Sequence, residues 1–410
     1  MVFGTKNHKE NLEVVSVDDV DEVEGDQHNM LLSIISSLRP GSDLSRITLP
    51  TFILERKSML ERITNQLNHP ELLLQAHAAE DPVERMLGVV RWYLSGWHIA
   101  PKAVKKPLNP VLNEYFTCYW DLPNNTRAYY IAEQTSHHPP KSSYFYMSPE
   151  NHIRVDGTLV PRSRFLGNSA ASLMEGHGYL KFLDKTDFKG NVEKYELTQP
   201  NIYARNILIG KLKYELGDHS LVKCPGNDLI ADIEFKVKGF VTGTYNAIQG
   251  KIMRQSSGDV LYEISGKWNE VMEIKNMKTG VKSVFFDTHK AKPSFPLVRP
   301  IEEQGALESR RLWLKVTNAL ARKDHTVATD EKFAIEDRQR QEAKTREEEG
   351  VECHPRLFKE APAPLEWIIH KDLDGKSAEE QTQEILSIAP ILPGQQASHE
   401  FDIPRRRPKS

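Results

Sequence analysis

The chain has 410 residues, 39% of them apolar and 27% charged, with a formal net charge of −3. Such a composition supports a large globular body with ample core and argues against the broad basic surface of a dedicated nucleic-acid binder. Three cysteines, Cys118, Cys224 and Cys353, lie far apart without a CxxC, so a disulfide framework is not expected and a reducing compartment fits best. No window approaches the 18 to 20 apolar residues of a spanning helix. The start MVFGTKNHKE is polar, and neither it nor the PRRRPKS end carries a lipidation motif. Any contact with a membrane is expected to be peripheral and reversible.

Residues 1–28 form an acidic arm. DDVDEVEGD, Asp18 to Asp26, holds six acids and no base. It reads as a solvated disordered segment, or as one that repels anionic surfaces or competes for the protein's own basic site. NMLLSIISSL, Asn29 to Leu38, places Leu31, Ile34, Ile35 and Leu38 at helical spacing before a Pro40-Gly41 stop. A helix this short is not stable alone and needs an apolar seat, either a fixed core or a mobile partner. ITLPTFILE, Ile47 to Glu55, is an extended apolar run with a proline, which suits an edge strand or a lining segment. Residues 56–98 read as helical, with a Met59, Ile63, Leu67 stripe. A second helix starts at Asp81-Pro82, aspartate as cap and proline in the first turn.

From about Tyr115 to Asp287 the texture changes to short runs rich in aromatic and β-branched residues. Turn signals separate them: Pro123-Asn124-Asn125, Asp156-Gly157, Gly190-Asn191, Gly217-Asp218, Gly226-Asn227, Ser257-Gly258 and Thr279-Gly280. Many short strands in series predict an antiparallel sheet that curls into a barrel or splits into a sandwich. Residues 306–349 read as a charged helical stretch, and the last 60 residues are proline-rich and end in a basic tail. No repeat at a fixed period is present. The expected class is α+β.

Three motifs carry chemistry. SHHPP, Ser136 to Pro140, sets two histidines before two prolines, which remove two backbone donors and are expected to make the chain leave the sheet there. Neighbours on a strand point to opposite faces, so one metal does not easily bind both, and no HxH or HExxH occurs. No metal or cofactor is expected. Imidazole N–H groups at a barrel rim could instead donate to phosphate oxygens; a buried structural corner is the alternative. PKAVKKPLNP, Pro101 to Pro110, reads as a rigid loop that holds Lys105, Lys106 and Asn109 close together, suited to an anionic head group or simply solvated. In DEKFAIEDRQRQ, Asp330 to Gln341, Lys332, Glu336 and Arg340 step by four along one helix face. They form a solvated charge ladder, or orient two cations toward an anion. Neither a GxSxG nor a catalytic cysteine setting is present, so no enzyme is expected. The groups suit gripping a phosphorylated ligand rather than turning it over.

EQTSHHPP, Glu133 to Pro140, closely resembles the EQVSHHPP signature of the oxysterol-binding-protein-related lipid-transfer family. KPLNPVLNE (Lys106 to Glu114) resembles its KPxNPxLGE-type segment, with Asn113 where glycine is usual. SRFLGNS (Ser163 to Ser169) and EKFAIEDRQR (Glu331 to Arg340) resemble its SKFxGNS stretch and C-terminal helix. No pleckstrin-homology, ankyrin or FFAT-like segment is evident, which implies a short member.

The resemblance implies an incomplete antiparallel β-barrel around a lipid tunnel. It implies a lid helix within 29–43 and a lipid-binding domain over 44–395. That domain divides into a lining strand with helices (44–114), a barrel (115–290) and a C-terminal helical subdomain (291–395). A basic tail follows at 396–410. It implies phosphatidylinositol 4-phosphate held by Lys106, Asn109, His137, His138, Lys332, Glu336 and Arg340. LSRITLPTFILE, Leu44 to Glu55, resembles the phosphatidylserine-transferring branch, which implies Leu44, Leu49, Thr51, Ile53 and Ser163 as contacts for that lipid. A sterol is the alternative second cargo, and a lipid sensor without bulk transfer the alternative role. The expected setting is cytoplasmic and monomeric, in transient contact with endoplasmic reticulum and plasma membrane, with no nucleic-acid partner.

Overall fold

A computed structural model of the chain describes residues 25–36, 38–44, 47, 49–99, 104–239, 242–397 and 405–408. The acidic arm up to residue 24 and most of the basic tail lie outside the described residues. Where a helical run from residue 56 and a rigid loop over Pro101 to Pro110 are expected, the structure first has a short parallel pair, Leu54–Ser58 (β1) beside Lys106–Leu108 (β2). The paired positions are Leu54 with Lys106 and Ser58 with Leu108. Pro107 falls between them, where its missing N–H costs no ladder bond.

Among the described residues, thirteen strands form one antiparallel sheet between Tyr115 and Asp287, the span the residue texture predicts. They are β3 (Tyr115–Asp121), β4 (Arg127–His137), β5 (Pro140–Ser148), β6 (Ile153–Phe165), β7 (Ser169–Thr186), β8 (Val192–Leu197) and β9 (Asn201–Arg205). The rest are β10 (Lys213–Cys224), β11 (Leu229–Lys236), β12 (Ala247–Arg254), β13 (Val260–Lys267), β14 (Val271–Asn276) and β15 (Lys282–Asp287). Each strand pairs with its sequence neighbour, except that β8 and β9 share the gap between β7 and β10. Such a meander lets the sheet curl without crossovers.

Two expected turns are strand interiors. Gly157 lies within β6, where a Cβ would come within 2.3 Å of the Tyr144 ring on β5; its cross-strand partner Gly178 stands 2.7 Å from the same hydroxyl by the same measure. These glycines make room for an aromatic ring rather than for a reversal. Gly217 and Asp218 lie where β10 passes from pairing with β9 to pairing with β11, and Asp218 takes a left-handed φ of 70°.

Strands β3 to β5 are buried on both faces. Phe116, Cys118, Trp120, Tyr130, Tyr144 and Tyr146 point to the barrel interior, and the intervening Tyr115, Tyr119, Tyr129, Ile131, Phe145 and Met147 point outward. The interior is plugged by helices from residues 59–95, chiefly Leu60, Met86, Val90, Trp92 and Leu94. The helix Pro82–Ser95 begins as its sequence predicts: Asp81 Oδ1 accepts from the Val83 and Glu84 backbone N–H groups at 2.8 and 3.1 Å. The outer face is covered by the C-terminal region, through Leu357, Phe358, Ile369, Ile385 and Ile388.

That region holds the long helix His325–Glu349, the helix Ala378–Ile388 and small two-stranded pairs as well. One of those pairs joins Val351–His354 to Arg405–Pro408 of the tail. No described helix is long and apolar enough to cross a membrane.

Candidate functional site

A cavity of about 740 Å³ lies between the inner face of the sheet and the segments preceding it. The N-terminal helix runs Gly25–Ile35, earlier than its apolar spacing predicts, so Leu38 packs from the turn beyond it. Leu31 and Ile35, each 4% exposed, are buried against Leu44, Phe52, Ile53, Phe165 and Ile207, and both line the cavity. The linker after the helix is stitched to the end of β6. Gly41 N–H donates to the Phe165 carbonyl at 2.6 Å, and Phe165 N–H to the Ser42 carbonyl at 2.9 Å. The short helix therefore has the apolar seat it needs, on the wall of the cavity itself.

Of the residues expected to touch an acyl chain or its head group, Leu44, Leu49, Ile53 and Ser163 line the cavity. Thr51 does not. It is buried, with its hydroxyl 3.3 Å from Nδ1 of His325 at the start of the long helix. Ser163 stands between Arg162 and Arg164, which also line the cavity and which the motif reading passed over.

Polar groups gather where β4 meets β5. The two prolines do not send the chain out of the sheet: β4 ends at His137, β5 begins at Pro140, and these two residues pair across a tight reversal with a cis His138–Pro139 bond. The reversal brings the His137 and His138 rings to 4.6 Å between centroids, steeply inclined to each other. Both line the cavity together with Lys106 and Asn109. The strand rule that sends neighbours to opposite faces does not hold at a turn.

Electrostatics fix the states of these groups. Burial, and then the neighbouring His138, push the His137 imidazole down to about 4, with the Pro110 carbonyl pulling the other way. Its Nε2 lies 2.6 Å from the side-chain amide nitrogen of Gln339 on the long helix. Lys106 is drawn below the ordinary lysine value by burial and by Lys332, against the opposing pull of Glu336 and Asp43. Lys332 Nζ is 2.5 Å from Glu336 Oε1. Thus Lys106, Lys332 and Glu336 act on one another across two elements. Arg340 is apart from them: it is half-exposed, bonds Asp337 at 3.3 Å and lies over the Phe333 ring.

Other motif residues hold the frame. Asn113, at the position where glycine is usual, adopts φ 62°, a left-handed conformation that asparagine tolerates better than most residues. It is fully buried; its amide donates to Glu133 and to the His354 carbonyl, each at 3.3 Å. Glu133 accepts from the backbone N–H groups of Arg356 and Leu357 at 2.9 Å each, fastening the C-terminal region to β4. Gln339 is a site residue that the ladder reading missed, although it stands three residues after Glu336, a spacing that shares a face.

A family model described as Oxysterol-binding protein matches residues 33–381. The chain is 60% identical over 395 residues to oxysterol-binding protein homolog 6 of Saccharomyces cerevisiae, covering 95% of this chain and 88% of that one. It is 39% identical over 359 residues to human oxysterol-binding protein-related protein 5, covering 85% of this chain and 39% of the relative. Among solved structures, the Osh1 ORD domain in complex with ergosterol superposes with a TM-score of 0.70 at 25% identity, covering 87% of this chain and 89% of that one. The Osh3 ORD in complex with PI(4)P from Saccharomyces cerevisiae gives a TM-score of 0.64 at 22% identity, covering 87% and 94%. With the family model spanning most of its length and the same antiparallel barrel, the chain belongs to the oxysterol-binding protein family.

Proposed function

We propose that this chain is a lipid carrier that exchanges phosphatidylserine for phosphatidylinositol 4-phosphate between membranes, one lipid at a time. The observation that carries the reading is the join between a mainly apolar cavity and a cluster of Lys106, Asn109, His137 and His138 on its wall. An acyl chain withdrawn from water gains roughly 0.8 kcal/mol per methylene, on the order of ten kcal/mol for a whole chain, so an enclosed apolar wall is what makes extraction possible. A phosphomonoester brings two negative charges. Ammonium, amide and imidazole donors meet them without a nucleophile or a metal, so no bond is made or broken in this reading. A cavity of about 740 Å³ falls within the range for a single ligand. The two lipids then compete for it, and a gradient of one can drive transport of the other.

Phosphatidylserine is preferred to a sterol because Leu44, Leu49 and Ile53, which line the cavity, lie in the LSRITLPTFILE segment that resembles the phosphatidylserine-transferring branch. The sterol-bound relative keeps the sterol reading as the alternative. Transient docking on anionic membranes accords with an apolar rim at the β6–β7 and β9–β10 turns. There Leu166, Leu208 and Ile209 are 47, 39 and 79% exposed, and Arg164 and Lys211 are exposed beside them. The membranes are taken, from the resemblance alone, to be endoplasmic reticulum and plasma membrane, reached from the cytoplasm. The test is a two-liposome assay. Phosphatidylserine transfer should accelerate when the acceptor vesicles carry phosphatidylinositol 4-phosphate. Transfer indifferent to it, or dehydroergosterol moved in its place, would refute the exchange.

A further inference from the structure

We infer that Gln339 is the positioning residue of the phosphate site: its amide pins the His137 ring, in one tautomer, to the long helix and to the Asn109–Asn113 segment. The inference rests on the phosphoinositide reading above, and the tautomer can be judged separately from it.

The orientation of the amide follows from its surroundings. The Leu112 backbone N–H donates to Gln339 Oε1 at 2.8 Å. The oxygen is thereby taken, and the amide NH₂ is the group that meets His137 Nε2 at 2.6 Å. A nitrogen that accepts a hydrogen bond carries no proton, so His137 is a neutral ring protonated on Nδ1, a buried nitrogen that has no hydrogen-bond partner of its own among the described residues. An imidazolium would set N–H against N–H at this contact. The downward pull that burial and His138 exert on His137 points the same way.

One side chain thus ties together the three elements that carry the head-group residues. The Leu112 N–H belongs to the segment that holds Asn109, His137 to the β4–β5 reversal, and Gln339 to the helix that presents Lys332 two turns and Glu336 one turn earlier. His138, exposed where His137 is half-buried, is the more open of the two rings that line the cavity. A shift of the helix by one ångström would change the distance between Lys106 and Lys332, and a clamp of this kind tolerates little such error. Gln339 has no need to touch the ligand.

The test uses the full chain with ¹⁵N-labelled histidine. In the wild type at pH 7, His137 should give the nitrogen shifts of an Nδ1–H neutral ring. Gln339→Met, of similar length but without donor or acceptor, should lose that single signature. It should take up phosphatidylinositol 4-phosphate from vesicles about tenfold less well, with phosphatidylserine uptake within twofold of wild type. Gln339→Glu keeps an acceptor for Leu112 N–H but offers no donor, so His137 should move its proton to Nε2 or become charged. An Nε2–H ring in the wild type, or full phosphoinositide uptake by Gln339→Met, would overturn the inference. If the wild type itself takes up no phosphoinositide, the functional reading fails, whereas the nitrogen shifts still decide the contact.

Discussion

The Lys332 ammonium lies 2.5 Å from the Glu336 carboxylate one helical turn on, and both act on Lys106 across the gap between the long helix and β2. Lys106 and Lys332 repel each other, and Glu336 and Asp43 hold Lys106 in its charged form, so a phosphate at this point meets two ammonium groups set among those carboxylates. Lys106→Ala should therefore reduce phosphatidylinositol 4-phosphate extraction at least tenfold, about 1.4 kcal/mol, with phosphatidylserine extraction within twofold of wild type. Because the Lys106 value is lowered, its charge fades on alkalinisation before that of an ordinary lysine. The ammonium form exists below its pKa, so extraction should decline as pH rises, and at a lower pH in Glu336→Gln, which loses an opposing pull. Extraction measured between pH 7 and 10 checks both; identical profiles would remove Glu336 from the site.

His137 gives a stability prediction of definite sign. Its value falls from 6.5 unfolded to about 4 folded, so below pH 6.5 the unfolded chain takes up a proton that the folded chain refuses. Stability from this ring is present above pH 6.5 and is lost as pH falls toward 4. The loss at pH 5 is roughly 2 kcal/mol. Denaturant unfolding at pH 7 and pH 5 should show His137→Gln losing less than the wild type over that interval. The double change of His137 and His138 to alanine should abolish phosphoinositide extraction and spare phosphatidylserine more. Equal loss of both lipids would mark the pair as a structural corner.

Leu49→Asp would place a carboxylate against acyl chains on the cavity wall. An ionised carboxylate in such surroundings is costly enough to exclude the lipid or to stay protonated. Phosphatidylserine uptake should fall at least tenfold, while the fold is kept because Leu49 is only half-buried. Normal uptake at pH 7.5 would mean that this segment does not contact the cargo.

Ile209 is 79% exposed at the rim, so its replacement by aspartate should leave thermal stability unchanged. It should weaken flotation with vesicles rich in anionic lipid severalfold. Removing residues 1–24 should act oppositely on the loaded protein by withdrawing acids that an anionic leaflet repels within roughly 8 Å. If neither variant changes flotation, the rim and the arm have no part in docking.

Much of this was legible in the residues, and the exceptions have physical causes. The meander from Tyr115 to Asp287 could be read because turn residues punctuate short runs of aromatic and β-branched residues. Gly157 and Gly217 misled because a glycine that makes room for Tyr144 or Tyr203 looks, in sequence, like one that makes a turn. The parallel pairing of Leu54–Ser58 with Lys106–Leu108 is a long-range contact that local pattern does not encode. At the site, His137, His138, Lys106 and Asn109 were found through their motifs, and all four line the same cavity. Gln339 was passed over because an uncharged amide leaves no mark in a charge ladder. Its role emerges only when the long helix is laid against the β4–β5 reversal. Thr51, implied by the resemblance, and Arg340, implied by it and by four-residue spacing, differ from these, since their side chains lie against His325 and Asp337.

In the proposed function one cavity carries phosphatidylserine. Native mass spectrometry with lipid analysis, on protein purified from the cells that make it, addresses this most directly. Phosphatidylserine should be bound at close to one molecule per chain and be displaced by added phosphatidylinositol 4-phosphate. A sterol in its place, or no lipid at all, would contradict it.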